Sequence, residues 1–244
     1  MNGDKIMVEM FESHKVVLSS MVGSWAANLN TSASDEDWKH FVAPNFDDLY
    51  TGKMFTSAKV SETLDYDVHD IRQLANLLWK SNLNFISVLF GYKTSCVPEL
   101  QWIFDNADVF GSMNLPYLCN ATMGMHFEKM STLCKGTGNT QHLVEKYGYD
   151  TKQGTHAMRC LLVLHRISEG MSVRESLWFG GLDRDLLMSI KNGEFSEVEF
   201  RAMVAEWHET CKPRVAEWFK ACHANEEAKN MLDEGIKNFI RANI

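Results

Sequence analysis

Two spaced pairs of aspartates, Asp35-x-Asp37 and Asp65-x-Asp67, hold the clearest chemical potential in this 244-residue chain. Strand side chains alternate between the faces of a sheet, so the carboxylates within each pair would point the same way. On neighbouring strands they would form an oxygen-only ligand set suited to Mg²⁺. Without a cation such a cluster repels itself, which argues against a purely structural role. Spacing alone leaves open whether Asp65 or Asp67 supplies the third carboxylate.

Upstream of the first pair, a hydrophobic run ends in Val22-Gly23-Ser24-Trp25. Backbone N–H groups at a glycine turn, helped by the Ser24 hydroxyl, can receive phosphate oxygens. A second cluster follows far downstream. Lys152, His156 and Arg159 stand at i, i+4 and i+7, so a helix capped by Asp150 would carry all of them on one face. Lysine and arginine both bind phosphate, and the face reads as a nucleotide or nucleic-acid contact. Plainer uses exist for each motif: a strand-ending turn, surface acids, a solvated basic stripe.

These residues need elements to place them. Ile6, Met7, Met10 and Phe11 predict a helix over Lys5–His14. The apolar run Lys15–Met21 predicts a buried strand, and Asp37–Val42 a second one, closed by Ala43-Pro44-Asn45. Phe46–Gly52 reads as a loop or short helix. Lys59–His69 predicts a third strand, with Leu64, Tyr66 and Val68 on one face and Asp65, Asp67 and His69 on the other. A stripe of Ile71, Leu74, Ala75 and Leu78 predicts a helix over Asp70–Trp79, broken at Asn82-Leu83-Asn84 before the buried segment Phe85–Phe90. From Glu99 onward the signals are helical: Leu100–Ala107, Pro116–Cys134, Lys152–Glu169, Asp183–Asn192, Ser196–Ala221 and Glu226–Ala242. Ser196 and Glu199 make a capping box. His126, His142 and His165 read as packing or surface residues, and Trp178, Trp207 and Trp218 as core. The expected class is α+β, with a sheet-containing domain over 1–95 and a helical domain over 96–244.

Composition removes several function classes. A net charge of −8 argues against general coating of DNA or RNA, though not against a local basic cleft. Six cysteines without C-x-x-C spacing argue against a zinc site or redox pair and fit reduced, mostly buried thiols. The opening MNGDKIMVEMF lacks the apolar stretch of a signal peptide, and no run is long enough to span a membrane. A soluble, cytoplasmic protein without a membrane partner is expected.

The motifs together resemble the nucleotidyltransferase superfamily of DNA polymerase β. The closer likeness is to the RNA-repair-pathway predicted nucleotidyltransferase family. That family's VGSRAYGL-T-x-x-SD-x-D is matched by VGSWAANLNTSASDED over 22–37. DYDVHDIRQL over 65–74 and KSNLNFISVLF over 80–90 resemble its D-x-x-x-x-E-I-x-K-F and K-G-N-P-N-x-x-E-L-L-F. Its K-Y-G-Y-D-x-K-x-x-x-H-x-x-R corresponds to Lys146-Tyr147-Gly148-Tyr149-Asp150 with Lys152, His156 and Arg159. Its D-R-x-x-L-x-x-I-x-x-G-E-x-S resembles Asp183–Ser196.

The resemblance implies a polymerase-β-like sheet domain followed by a helical domain that closes over the nucleotide. It implies transfer of a nucleotidyl group from an NTP, such as ATP, to an acceptor hydroxyl, an RNA end among them, with release of pyrophosphate. Asp35, Asp37 and Asp65 would be catalytic and would hold two Mg²⁺ (or Mn²⁺) ions, with Asp67 a reserve ligand. Gly23, Ser24, Lys152, His156 and Arg159 would bind the nucleotide. The chain departs from the pattern at Trp25, where arginine is usual, at Asn28 in place of glycine, and at Leu83 in place of proline. Trp25 motivates an alternative, a nucleotide- or RNA-binding protein without activity. A protein or small-molecule hydroxyl is the alternative acceptor.

Overall fold

A computed structural model describes residues 10–59, 64–136 and 138–243. Its strands are Met10–Phe11 (β1), His14–Met21 (β2), Glu36–Val42 (β3), Thr56–Lys59 (β4), Leu64–Asp70 (β5) and Thr94–Cys96 (β6). They form one mixed sheet in the order β1-β2-β3-β5-β4, with β6 also paired to β2. The fold class is α+β, as expected. The apolar run Val16, Val17, Leu18, Met21 and Val22 is buried, with β3 beside β2 in the sheet and β5 beyond β3. β3 and β5 run parallel, and every other pairing is antiparallel. Around Val16, Val42 and Val68 one face of the sheet is closed by Phe11, Phe55 and Tyr66.

Short helices surround the sheet: Gly23–Ala26 (α1), Phe46–Thr51 (α2), Leu74–Trp79 (α3), Leu83–Ile86 (α4), Gln101–Asp105 (α5) and Ala107–Gly111 (α6). The helical stretch then runs Leu115–Thr132 (α7), Gln141–Tyr147 (α8), Thr151–Ser168 (α9), Val173–Leu177 (α10), Gly181–Lys191 (α11), Glu197–Thr210 (α12) and Lys212–Lys220 (α13), and the chain closes with Glu226–Ala242 (α14). Two compact units result. The described residues up to Asn114, joined by those from Asn225 onward, make the first, and Leu115–Ala224 make the second. The division therefore lies later than the compositional shift near residue 95, and α14 returns to the sheet unit. Its buried stripe of Ala228, Leu232, Ile236 and Phe239 serves that packing, against α3, α6 and Ile71–Gln73. Gly235 permits the approach, because a Cβ there would meet the Trp102 ring at 2.4 Å.

Several expectations need correction. Residues 5–9 of the expected first helix lie outside the described residues, while Met10–Phe11 and His14 belong to strands. There Phe11 packs edge-on against Tyr66, at 5.1 Å between ring centroids, instead of serving a helical stripe. Of the expected strand over Lys59–His69, Lys59 is the last residue of β4 and the part from Leu64 onward belongs to β5, which pairs antiparallel with β4, while residues 60–63 lie outside the described part. The expected helix over Ser196–Ala221 divides at Cys211 because Pro213, which lacks an N–H, opens α13. Trp207 is buried as expected, but Trp178 is 55% exposed and folds over Gly180. All six cysteines are free thiols, of which Cys119 and Cys160 are buried. Among the described residues no helix is long and apolar enough to cross a membrane.

Candidate metal and phosphate site

The parallel register of β3 and β5 sets Asp37 beside Asp65. Asp35 stands one residue before β3 begins, and its carboxylate reaches the same place. One oxygen from each of Asp35, Asp37 and Asp65 lies within 4.8 Å of the others, and all three residues are half-buried. Among the described residues this is the group of acidic, histidine or cysteine side chains arranged to share a cation. The donors are all carboxylate oxygens, with neither thiol nor imidazole, so the set fits a hard divalent ion such as Mg²⁺.

Asp67 does not join them. One step further along the register it faces Lys39, whose Nζ lies 2.6 Å from its Oδ2. Lys39 also lies over the Phe85 ring, 4.7 Å from the centroid. The lysine that engages Asp67 was missed in the sequence, although a signal for it exists. It follows Asp37 by two residues, and the strand period places it on the same face.

The Gly23 turn is built onto these acids. Val22 donates its N–H to the Asp37 carbonyl at 2.8 Å, and Gly23 takes φ +64°. A Cβ at Gly23 would fall 1.8 Å from Asp37 Oδ2. Both the left-handed backbone and the missing side chain are therefore required at this point. Ser24 Oγ is buried beside it and has no hydrogen-bond partner among the described residues. A buried hydroxyl in that state is a free donor for a ligand oxygen. Trp25 donates its indole N–H to the carbonyl of Asp35 at 3.0 Å, which ties the turn to the first acid.

The other departures from the motif are conservative in physical terms. Asn28 adopts φ +58°, the left-handed region where glycine is easiest and asparagine next. Leu83 is the first residue of α4 after the Asn82 cap, the position at which proline is also favoured.

In the helical unit, much of the Lys-Tyr-Gly-Tyr-Asp stretch serves the corner between α8 and α9. Gly148 ends α8 at φ +83°, and Tyr149 is fully buried against Phe200. The Asp150 side chain caps α9 by accepting the Gln153 N–H at 3.0 Å. Lys152, His156 and Arg159 then occupy α9 with unequal exposure: Lys152 is exposed, His156 partly so and Arg159 buried. The imidazole of His156 is pushed down to about 3, by burial first and then by Arg159, Lys129, Lys152 and Lys191. The expected row of three cations is thus two cations around a neutral imidazole. Lys129 of α7 and Lys191 of α11 add to that positive surrounding, and neither was apparent from the α9 sequence.

No protein-family model matches the chain, and a search of curated proteins found no match.

Proposed function

We propose that the protein is a metal-dependent nucleotidyltransferase that moves a nucleotidyl group from an NTP to an acceptor hydroxyl. The observation that carries this reading is the meeting of Asp35, Asp37 and Asp65 within 4.8 Å beside a glycine turn that a side chain would block. The motif resemblance along the chain agrees with it.

In the proposed reaction the acceptor oxygen attacks the α-phosphorus of the NTP. A new P–O bond forms as the bond to the bridging oxygen breaks, and pyrophosphate leaves with that electron pair. Asp65 takes the acceptor's proton. The Ser24 hydroxyl donates a hydrogen bond to a phosphate oxygen, and the Gly23 turn lets the nucleotide approach the backbone closely. Asp35, Asp37 and Asp65 would hold Mg²⁺, which when bound neutralises phosphate charge and stabilises the attacking and leaving oxygens. Trp25 positions Asp35 through its main-chain carbonyl. Lys152 and the partly exposed His156 of α9 are the phosphate contacts of the helical unit, with His156 a neutral hydrogen-bonding group and the buried Arg159 adding to the positive surroundings.

The test is labelling. The protein is incubated with Mg²⁺, each of the four labelled NTPs, and RNA, protein and small-molecule acceptors, beside the Asp35→Ala/Asp37→Ala variant. Transfer by the wild type is expected to fall by at least about 10³-fold in the variant, the scale seen when groups that stabilise developing charge are removed. Equal labelling by both proteins, or by neither with any NTP and acceptor, overturns the proposal.

A further inference from the structure

The residues that fasten the acidic site also make an aromatic surface beside it. Trp25, bonded through its indole N–H to Asp35, packs against Tyr92 with ring centroids 5.2 Å apart at 45°. Tyr92 is nevertheless 56% exposed. Its backbone is held firmly. The Tyr92 N–H donates to the Met21 carbonyl at 2.9 Å, and the Met21 N–H donates to the Lys93 carbonyl at 2.8 Å. Gly91 permits that approach, since a Cβ there would lie 2.0 Å from Ser20 Oγ. The backbone that carries the exposed ring is thus fastened to the end of β2. Lys93 brings a cation to the same place, its Nζ 6.0 Å from the Tyr92 ring centroid.

An exposed aromatic ring on a hydrogen-bonded backbone, with a mobile-armed lysine cation over it and the carboxylate group next to it, has the features of a stacking platform for a charged, flat ligand once the lysine turns aside to the ligand's phosphate. We propose that Trp25 and Tyr92 form a nucleobase ledge, on which a base stacks on the exposed Tyr92 face while Lys93 meets the accompanying phosphate. Tryptophan at position 25 brings no charge of its own, and its contribution is surface and the anchoring of Asp35. The ledge rests on the nucleotidyltransferase reading for what lies next to it, and it goes further by naming the group that is recognised. The base belongs either to the NTP or to the end of a single-stranded acceptor, and both offer the same chemistry.

Calorimetric titrations of the full chain distinguish these sources. The probes are Mg²⁺ with ATP, Mg²⁺ with inorganic tripolyphosphate, and a short single-stranded oligoadenylate. The proteins are wild type, Tyr92→Ala and Tyr92→Phe. Stacking predicts that Tyr92→Ala weakens binding of a base-bearing probe by about tenfold or more, while Tyr92→Phe retains it. Tripolyphosphate binding is expected to stay the same in all three. Loss confined to ATP assigns the ledge to the NTP, and loss confined to oligoadenylate assigns it to the acceptor. Three results overturn the proposal: both base-bearing probes binding Tyr92→Ala as well as wild type, tripolyphosphate weakening in parallel with ATP, or no base-bearing probe binding the wild type. If oligoadenylate binding depends on Tyr92 but tripolyphosphate does not bind with Mg²⁺, the ledge stands and the nucleotidyltransferase reading fails.

Discussion

Two sets of aspartates in the sheet unit are treated by the fold in opposite ways. Asp48, Asp67 and Asp70 each have a basic partner from the same chain: His14 Nε2 at 2.7 Å, Lys39 Nζ at 2.6 Å, and Arg72 at 2.5 Å. Two of them also cap local structure. Asp48 accepts the Asn45 N–H ahead of α2, and Asp70 accepts the Arg72 N–H at the turn after β5. Asp35, Asp37 and Asp65 instead gather like charges at one point. In the first set the carboxylates support folding, and each position is explained by its partner. In the second set the carboxylates stand beside one another, a grouping of oxygen donors that a divalent cation would suit. The residue type and the sheet are common to both sets. What differs is that the second set brings one carboxylate beside another.

The largest expected effect breaks the comparison from the structural side. Asp70 is fully buried, and Arg72 grips it through two nitrogens, Nε to Oδ1 at 2.9 Å and an amino nitrogen to Oδ2. The carboxylate raises the affinity of that guanidinium for its proton. Removing one partner of a buried pair leaves the other charge without compensation, so Asp70→Ala is expected to lower unfolding free energy by about 3–5 kcal/mol. Asp35→Asn, which removes a like charge, is expected to leave stability in EDTA unchanged or raised. Urea unfolding of both variants in EDTA checks this. A comparable loss in Asp35→Asn would show that the two sets do not differ in kind.

Much of this arrangement was legible in the sequence because it depends on local pattern. The apolar run ending at Gly23 is a buried strand, the strand period puts Asp65 and Asp67 on one face, and Asp150 caps α9 as its side-chain chemistry suggests. What remained hidden depends on pairing between distant segments. The preference for Asp65 over Asp67 came from motif alignment. Physically the difference lies in the β3–β5 register, which sets Lys39 against Asp67 and carries Asp65 to Asp37. No local pattern encodes that register. The amphipathic stripe of α14 announces a buried face but not which unit covers it, so chain order groups the helix with its neighbours whereas its packing places it in the first unit. Trp178 misled for a related reason: aromatic content predicts burial on average, and Gly180 gives this ring a place to lie at the surface.

Acid sharpens the comparison, once the opposite face of the sheet is taken into account. His40 on β3 is buried between Trp38, stacked at 5.8 Å, and Tyr66, and its Nδ1 lies 2.8 Å from Ser19 Oγ. Burial pushes its pKa down from the ordinary 6.5 to about 4. The unfolded chain therefore takes up this proton first as pH falls. The contribution of neutral His40 is complete above pH ~6.5, declines below it and is exhausted near pH ~4. At about 1.4 kcal/mol for each pH unit between the two values it amounts to roughly 3 kcal/mol. Between pH 6.5 and 4 the unfolding free energies of wild type and His40→Gln should differ in slope by about 1.4 kcal/mol per pH unit. Asp48 acts in a lower window. Burial opposes its ionisation, but the Asn45 N–H and His14 prevail and hold its carboxyl below the usual range. Its contribution is present above the unfolded value and is lost as pH falls through the folded one. Asp48→Asn should remove that second, more acidic loss and leave the first. A single loss at the same pH in all three proteins would refute the assignment.

The smallest effect tests how the binding set is held together. Asp37 and Asp65 lie within the paired β3–β5 ladder, whereas Asp35 precedes it. The Trp25 indole N–H is the bond that ties the Asp35 main chain to the Gly23 turn. Trp25→Phe keeps an aromatic ring against Tyr92 and removes only that donor. A single neutral hydrogen bond contributes about 1 kcal/mol, so Mg²⁺-dependent tripolyphosphate binding should weaken by about fivefold. Binding of oligoadenylate, which reads the ring and not the donor, should change far less. Were Trp25→Phe instead to weaken both probes equally, Trp25 would be acting through its packing alone, and the Asp35 carbonyl bond would have no part in placing the Asp35 carboxylate.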